Sequence, residues 1–336
     1  MSVMSMDNVL EREDDFDEVK AIEAAVQRLG SAKTEIERII FGQGDVVERS
    51  LIAVLCGGHA LLVGVPGLAK TRLVATLGTV LGLSENRIQF TPDLMPSDIL
   101  GAEVLEQSAS GERAFRFIKG PVFAQLLMAD EINRASPRTQ SALLQAMQEG
   151  FVTVAGEAHD LPTPFHVLAT QNPLEQEGTY PLPEAQLDRF IMQVDVVYPD
   201  RAAERRILLE TTVQPEVHPS PVLSRDELME IQKLVRRMPV GESIVEAILD
   251  LVRSARPEEN EAVAGIVAWG PGPRASQSLM LATRARALLQ GRLAPSKDDV
   301  LALAEPVLQH RMALSYTARA DGKTVKGVIA ELCGQL

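Results

Sequence analysis

A glycine-bearing segment at residues 64–71, with the sequence GVPGLAKT, constrains the fold of this chain more than any other feature. An apolar run at 60–63 precedes it and a run with helical spacing follows it, so the order is strand, loop and helix. Backbone N–H groups of such a loop and of the helix start converge on one point and favour an anion there. Lys70 is expected to reach the β- and γ-phosphates of a nucleoside triphosphate, and Thr71 to bind Mg²⁺ through its hydroxyl.

One position departs from the usual phosphate-loop pattern, because Ala69 stands where a glycine commonly precedes the lysine. We expect the methyl group to be tolerated, since a residue at the start of a helix adopts a negative φ. Gly64 and Gly67 remain where the chain must turn tightly. The alternative is an ordinary strand–turn–helix with a coincidental Lys-Thr pair, and the other motifs of the chain argue against it.

Composition bounds the class of protein. The 336 residues are 46% apolar, enough for two globular domains. The net charge is −13, and residues 1–18 are so rich in acids that we expect a flexible acidic lead there. Clustered Lys and Arg are absent, so nucleic acid is not an expected partner. Two distant cysteines, the lack of a signal peptide and the lack of a long apolar run favour a cytoplasmic protein without a membrane span.

The pattern between residues 60 and 197 is α/β. Apolar strand candidates alternate with helical runs, which predicts a parallel sheet with helices on both faces; the strands are expected at 60–63, 87–90, 126–129, 165–170 and 190–196. Two further stretches, 99–118 and 151–161, alternate like hairpins, the first with a turn at 108–111. Helical runs dominate after residue 200. We therefore predict a flexible lead at 1–18, an α/β domain at 19–200 and an all-helical domain at 201–336.

Polar residues follow two of the expected strands. Asp130 and Glu131 end the apolar run at 126–129, where Asp130 would hold Mg²⁺ and Glu131 would orient the attacking water. Asn172 comes shortly after the run at 165–170. If that strand lies between the strand of the phosphate loop and the strand of Asp130, Asn172 sits beside the γ-phosphate. The alternative for Asn172 is a plain Asn-Pro turn.

Two arginines are candidates for a contact with phosphate. Arg189 precedes the last expected strand and could neutralise charge on the γ-phosphate of a neighbouring subunit. The alternative for Arg189 is a salt bridge within the chain, to Asp188 or Glu184. Arg274 opens a helix of the second domain and could reach a phosphate from there, or could be an ordinary surface arginine.

Several short segments occur together and in a fixed order: GVPGLAKT at 64–71, ADEINRA at 129–135, QSALL at 140–144, ATQNP at 169–173, EAQLDRF at 184–190 and HR at 310–311. With them the chain resembles the MoxR-type AAA+ ATPases from about residue 36 to its C-terminus. The resemblance implies a P-loop AAA+ core followed by an all-α lid. It also implies that the hairpins are the helix-2 insert and the pre-sensor-1 hairpin of this clade, and that Ala69 is a normal variant.

The resemblance assigns roles residue by residue. It implies Walker A contacts to ATP from Gly64, Val65, Pro66, Gly67, Leu68, Ala69, Lys70, Thr71 and Arg72. It implies Walker B at Asp130 and Glu131, sensor 1 at Asn172, an arginine finger at Arg189, and sensor 2 at Arg274, acting within the chain or across subunits. The adenine pocket would involve the turn of Gly42 and Gln43.

Relatives in this family work as rings, often hexamers, and act as chaperone-like motors on partners that carry von Willebrand factor A domains, often inserting metal or activating a complex. The resemblance therefore implies a Mg²⁺-dependent ATPase ring with a separate partner. Phe115 and Phe117 share one hairpin face and could grip that partner or simply pack in the core. Three alternatives stay open: a nucleotide-gated scaffold with little turnover, a nucleic-acid motor, and the motor subunit of a magnesium chelatase.

Overall fold

The computed structural model describes residues 6–107, 113–175, 178–213 and 217–336, and it contains an α/β domain followed by a mainly helical lid. The helices are α1 Met6–Glu37, α2 Gly44–Leu55, α3 Lys70–Val80, α4 Pro96–Leu100, α5 Pro137–Glu149, α6 Glu184–Leu187, α7 Arg201–Val213, α8 Arg225–Arg237, α9 Glu242–Ser254, α10 Pro273–Leu289, α11 Lys297–Leu308, α12 Tyr316–Ala320 and α13 Val325–Cys333. The strands are β1 Ala60–Val63, β2 Glu85–Gln89, β3 Gly101–Gln107, β4 Arg113–Lys119, β5 Leu126–Asp130, β6 Phe151–Val154, β7 Glu157–Asp160, β8 His166–Gln171, β9 Met192–Asp195, β10 Val267–Trp269 and β11 Ala313–Leu314.

A five-stranded parallel sheet forms the centre of the α/β domain, with the strand order β2-β5-β8-β1-β9. Every residue of β5 is buried, as expected for a strand that is covered on both faces. The predicted parallel α/β fold is therefore confirmed. Strand β8 lies between β1 and β5, which is the arrangement that the prediction for Asn172 required.

Two hydrophobic cores lie on opposite faces of this sheet. Successive strand side chains point to opposite faces, so Leu62 of β1 enters one core and Leu61 enters the other. Met128 and Leu127 of β5 divide in the same way. The core on the side of Leu62 continues without a break into α1, α2 and the lid helices, so the lid packs on the sheet domain through shared apolar contacts.

Both expected hairpins are present as antiparallel pairs, β3 with β4 and β6 with β7. The first hairpin begins later than expected, because Pro96 is compatible with the first turn of a helix and starts the short helix α4 ahead of β3. The turn predicted at 108–111 lies outside the described residues.

The structure differs from the expected lead at the N-terminus. Helix α1 begins at Met6, so residues 6–18 are helical and continue into the helix that was expected from Val19 onward, while residues 1–5 lie outside the described part. Acidic residues near a helix N-terminus interact favourably with the helix dipole, which is consistent with helix in this acidic stretch.

None of the helices in the described ranges is long and apolar enough to cross a bilayer.

The expectation of an all-helical second domain is wrong. Strands β10 and β11 form a two-stranded antiparallel sheet in the lid, with Val267 opposite Leu314. Strands of two and three residues are too short to show the alternation on which a strand prediction depends. Helices nevertheless dominate the chain after residue 200, and α8 begins with a capping box in which Ser224 and Glu227 exchange hydrogen bonds.

Candidate nucleotide site

The loop at 64–69 joins β1 to α3, and Lys70 is the first residue of α3, so the predicted order of strand, loop and helix is present. Gly64 needs to be glycine, because a Cβ atom there would come within 2.5 Å of the carbonyl oxygen of Val196. Gly67 adopts a φ of +84°, and the space around its Cα is open. An anion can therefore approach the loop backbone closely at Gly67.

The conformation of Ala69 corrects one expectation. Its φ is +56°, in the left-handed region, and not negative as predicted. A left-handed conformation costs a non-glycine residue about 1–2 kcal/mol. Ala69 is the N-cap residue of α3 and precedes its helical residues, so it need not adopt the negative φ expected at the start of the helix. The loop thus carries backbone strain beside the N–H groups that are the candidates to bind phosphate.

A cavity of about 520 Å³ lies over this loop, at the carboxyl ends of the central strands; we call it the nucleotide cavity. Its lining residues are Pro66, Gly67, Leu68, Ala69, Lys70, Thr71, Arg72, Arg87, Gln89, Asp130, Glu131, Thr170 and Asn172. The structure therefore brings the expected lysine, the two acids and the asparagine to one place. Its volume lies within the range that is typical of small-molecule sites.

The Lys70 ammonium group is folded back on its own loop. It donates hydrogen bonds to the carbonyl oxygens of Gly64, at 2.5 Å, and Val65, at 2.8 Å. Partial burial lowers the pKa of Lys70, while the negative charges of Asp130 and Glu131 oppose that shift. A phosphate that enters the cavity would exchange these carbonyl contacts for a charge-assisted contact with the ammonium group.

Both carboxylate oxygens of Asp130 have partners. The Arg87 guanidinium contacts Oδ2 at 2.5 Å through Nη2 and at 3.2 Å through Nε. The Thr170 hydroxyl donates to Oδ1 at 2.5 Å. Asp130 is only 8% exposed. A cation from β2 and a hydroxyl from β8 therefore stabilise its charge in place of water.

Glu131 follows β5 with a φ of +54°, so it too adopts a left-handed conformation. Its backbone N–H donates to the Thr170 hydroxyl at 2.8 Å, which fixes this turn. Its Oε2 atom accepts hydrogen bonds from Gln89 at 2.7 Å and from Arg134 at 3.0 Å. Strained non-glycine residues concentrate at functional sites, and both Ala69 and Glu131 line the nucleotide cavity.

Asn172 lies directly after β8 and is 8% exposed. Its Oδ1 atom accepts a hydrogen bond from the Leu174 N–H at 3.1 Å, as in an Asn-Pro turn. The two readings of this residue are thus compatible, because Asn172 makes the local turn and lines the nucleotide cavity as well.

The turn of Gly42 and Gln43 contacts the loop from behind. Gln43 is buried and its Nε2 atom donates to the Leu68 carbonyl at 3.1 Å, whereas its Oε1 atom has no partner within the described structure. A Cβ atom on Gly42 would lie 2.3 Å from the Cβ of Ala203, so glycine allows α7 to approach this turn. Neither residue is among those that line the nucleotide cavity.

Arg189 and Arg274 lie in a second cavity, which shares no lining residue with the first. We call it the arginine cavity, and its charged lining residues are Asp188, Arg189, Arg236, Arg274 and Arg311. The salt bridge of Arg189 to Asp188 or Glu184 does not form in the described structure. Asp188 instead pairs with Arg311 at 2.7 Å and Arg274 at 3.8 Å. Arg274 is therefore not among the residues that line the nucleotide cavity of its own chain.

Arg311 is the main partner of Asp188. This side chain is 1% exposed, and it donates from Nε to Asp188 and from its two terminal nitrogens to carbonyl oxygens of Phe190, Ile191 and Val307. Burial lowers the pKa of Arg311 and the carboxylate of Asp188 opposes that shift. Arg311 thus joins the lid to the segment that carries Arg189, a role that its place in the HR motif did not reveal.

The two hairpin phenylalanines have different environments. Phe117 stacks on His159 of the second hairpin, with ring centroids 3.9 Å apart, and meets Phe123 edge-on at 5.6 Å. Phe115 is 71% exposed. Packing therefore accounts for Phe117, whereas Phe115 is left available for a contact with another molecule.

The sequence analysis missed Arg87 and Gln89, which hold the two acids. A signal was present, because these polar residues alternate around the buried Ile88 on one strand and so point to the same side. Their proximity to Asp130 followed from the pairing of β2 with β5, which sequence separation does not reveal.

Comparisons with known proteins agree with this geometry. Residues 59–192 match the ATPase family associated with various cellular activities (AAA), and residues 259–332 match an AAA lid domain. The chain is similar to Chaperone MoxR1 of Mycobacterium tuberculosis, with 42% identity over 90% of this chain and 80% of the relative. It is also similar to Protein MoxR of Paracoccus denitrificans, with 29% identity over 86% and 89% of the two chains.

A solved crystal structure gives the same result for the fold. It is that of a Cytophaga hutchinsonii protein described as a candidate ATPase, and the TM-score is 0.88 at 36% identity. The similarity covers 97% of this chain and 98% of that one. The AAA core and lid are therefore shared along nearly the whole length of both chains.

Proposed function

Because this chain belongs to the MoxR family of AAA+ ATPases, we propose that it binds and hydrolyses ATP as a ring-forming motor that remodels or activates a partner protein. The observation that carries this proposal is the separation of two charged cavities on one chain. The nucleotide cavity holds Lys70, Asp130, Glu131 and Asn172, whereas Arg189 and Arg274 line another cavity.

The residues of the nucleotide cavity have distinct roles in this proposal. The N–H groups of the 64–71 loop bind the phosphates and Lys70 neutralises their charge. Glu131 accepts a proton from the attacking water, after its bonds to Gln89 and Arg134 rearrange. Asn172 positions that water or contacts the γ-phosphate. Gln43 recognises the adenine, because its unpartnered Oε1 atom can accept a hydrogen bond from the adenine amino group.

The oxygen atoms of this cavity fit a magnesium ion. The Thr71 hydroxyl and the Asp130 carboxylate line the same cavity as Lys70, and hard oxygen donors of this kind are the ligands that Mg²⁺ prefers. Bound there with ATP, the ion would neutralise charge on the β- and γ-phosphates. Asp130 would hold the ion through water or directly, and direct coordination by its Oδ2 atom would need the Arg87 guanidinium to move away, while Thr170 can continue to orient Oδ1.

A ring supplies what a single chain lacks. If the arginine cavity of one copy faces the nucleotide cavity of the next, Arg189 contacts the γ-phosphate in trans, as heterologous interfaces around a closed ring allow. The unpaired state of Arg189 within the described residues supports this role, because its guanidinium is not neutralised inside its own chain. Arg274 accompanies it as a second cation from the lid, and a hexamer is the ring that the family resemblance favours.

A chaperone-like role follows from the relatives, one of which is named Chaperone MoxR1. The exposed hairpin of β3 and β4 offers a surface for a partner, because its large apolar side chains face solvent: Val104, Leu105, Phe115 and Ile118. We expect the partner to be a separate protein with a von Willebrand factor A domain, and insertion of a metal into such a partner is one form that the activation could take.

Steady-state phosphate release, measured over a range of protein concentrations with Mg²⁺, tests the proposal. We compare the wild type with Glu131→Gln and Arg189→Ala, and use Arg225→Ala, an exposed arginine at the start of α8, as the matched control. Turnover per chain should rise with concentration and fall about 10³-fold or more in Arg189→Ala. Binding of a fluorescent ATP analogue should be unchanged in that variant, and both properties should be unchanged in Arg225→Ala.

Flat and negligible turnover with tight ATP binding would contradict the motor. The chain would then be a nucleotide-gated scaffold, whose partner affinity would differ between ATP and ADP and would be unaffected by Glu131→Gln. Full turnover in Arg189→Ala would contradict the composite site.

A further inference from the structure

Arg236 is a third arginine that faces the arginine cavity, and neither the motifs nor the family resemblance singles it out. It lies in the last turn of α8 and is exposed. Its one side-chain hydrogen bond among the described residues is a long one, 3.4 Å from Nη2 to the Cys56 carbonyl. The backbone around it is held firmly, because Arg284 of α10 donates to the Arg236 carbonyl at 3.0 Å.

Charge in this cavity is poorly balanced. Four guanidinium groups line it and Asp188 is the one carboxylate among the lining residues. Arg311 donates its hydrogen bonds inside the protein, and its Nε atom lies 2.7 Å from Oδ1 of Asp188. The Nη1 atom of Arg274 lies 3.8 Å from Oδ2 of the same carboxylate. The charges of Arg189 and Arg236 therefore remain uncompensated by any acid that the described structure places against them, and a concentration of unpaired cations favours an anion.

The three available arginines come from both domains. Arg189 precedes β9 of the sheet domain, whereas Arg236 lies in the last turn of α8 and Arg274 is the second residue of α10 in the lid. An anion that contacts all three would bridge the sheet domain and the lid of one chain. Planar guanidinium groups suit the oxygens of phosphate, which they can contact by two parallel hydrogen bonds.

The cavity has a volume of about 270 Å³, which gives room for a phosphate group. In the proposed ring, the phosphate within reach of this cavity is the terminal phosphate of a nucleotide held by a neighbouring copy. We propose that Arg236 contacts the γ-phosphate bound in the nucleotide cavity of a neighbouring copy, as a third cation beside Arg189 and Arg274. This inference rests on the proposed ring.

Complementation between two variants tests this role. Arg236→Ala should bind the fluorescent ATP analogue as the wild type does, and should turn over about ten-fold more slowly, a smaller loss than for a fully buried donor to the reacting group. Excess Lys70→Ala chains, which keep all their arginines, should raise the turnover of each Arg236→Ala chain towards the wild-type value. Arg236→Lys should retain part of the activity, because it keeps the charge but not the paired donors.

Two further arms make each outcome decisive. Arg237→Ala removes the adjacent arginine, which lines a groove beside α1 and not the arginine cavity, and should leave turnover unchanged. Arg189→Ala mixed with excess Lys70→Ala reports on the ring itself. If that mixture regains activity while Arg236→Ala equals the wild type, or is slow and is not rescued, the role of Arg236 is wrong and the ring stands. If the Arg189→Ala mixture stays inactive, the ring proposal fails.

Discussion

The two cavities of this chain differ in how their charges are balanced. In the nucleotide cavity, Lys70 contacts loop carbonyls, Asp130 pairs with Arg87, and Glu131 pairs with Arg134. In the arginine cavity, Arg189 and Arg236 have no acidic partner among the described residues. The charged groups of the nucleotide cavity therefore have partners within the chain before a ligand binds, and they must exchange those partners to bind one. The arginine cavity is incomplete by itself, which is what the proposal of a site shared between copies requires.

Arg311 provides the largest structural test of this difference, because it is the one arginine of its cavity that is fully buried. Arg311→Met should lower the free energy of unfolding by about 3 kcal/mol, since it removes the buried donor to the partly buried Asp188 carboxylate and to the carbonyl oxygens of the neighbouring backbone. Denaturant unfolding measures the change. Arg319→Met, at an exposed arginine of α12, should stay within about 0.5 kcal/mol of the wild type.

An unchanged free energy of unfolding in Arg311→Met would show that the contact between Arg311 and Asp188 does not stabilise the fold. The division between one structural arginine and three available ones would then be wrong.

A substitution of Arg87 tests whether its ion pair with Asp130 competes with ligand binding in the nucleotide cavity. Arg87→Gln should release Asp130 and so lower the Mg²⁺ concentration that half-saturates nucleotide binding by about three- to five-fold, the effect of a partly exposed ion pair. Titration of Mg²⁺ against the fluorescent ATP analogue measures it, with Arg113→Gln on strand β4 as the control. A higher Mg²⁺ requirement in Arg87→Gln would mean that Arg87 contacts phosphate instead.

Ala69 gives the smallest expected effect. Ala69→Gly should raise the free energy of unfolding by about 0.5–1 kcal/mol, because glycine adopts a φ of +56° without the steric cost that alanine bears. The same substitution inside helix α3, Ala75→Gly, should lower it by about 1 kcal/mol. If both changes were destabilising by the same amount, the strain assigned to Ala69 would be absent.

The sequence predicts the nucleotide cavity well because parallel strands bring their carboxyl ends to one edge. Lys70, Asp130 and Asn172 each follow an apolar run, so their convergence needed only the order of β1, β8 and β5. The pairing of Arg87 with Asp130 was not predictable, because it depends on β2 lying beside β5 and on the register of that pair.

The arginine cavity was less accessible to sequence analysis for a physical reason. Asp188 and Arg311 are far apart in the chain, and their contact depends on how the lid docks on the sheet domain. Arg236 looks like an ordinary cation in the last turn of a helix, where arginine is favoured by the helix dipole alone. Only the packing of α8 against α10 and the Cys56 turn distinguishes it.

The central claim is that the arginine cavity of one copy completes the nucleotide cavity of the next. The most direct test mixes equal amounts of Lys70→Ala and Arg189→Ala, each of which should be inactive alone. Random assembly pairs an intact nucleotide cavity with an intact arginine cavity at about one quarter of the interfaces of a ring, so turnover should return to roughly that fraction of the wild-type rate. A mixture that stays as inactive as its two components would contradict the account.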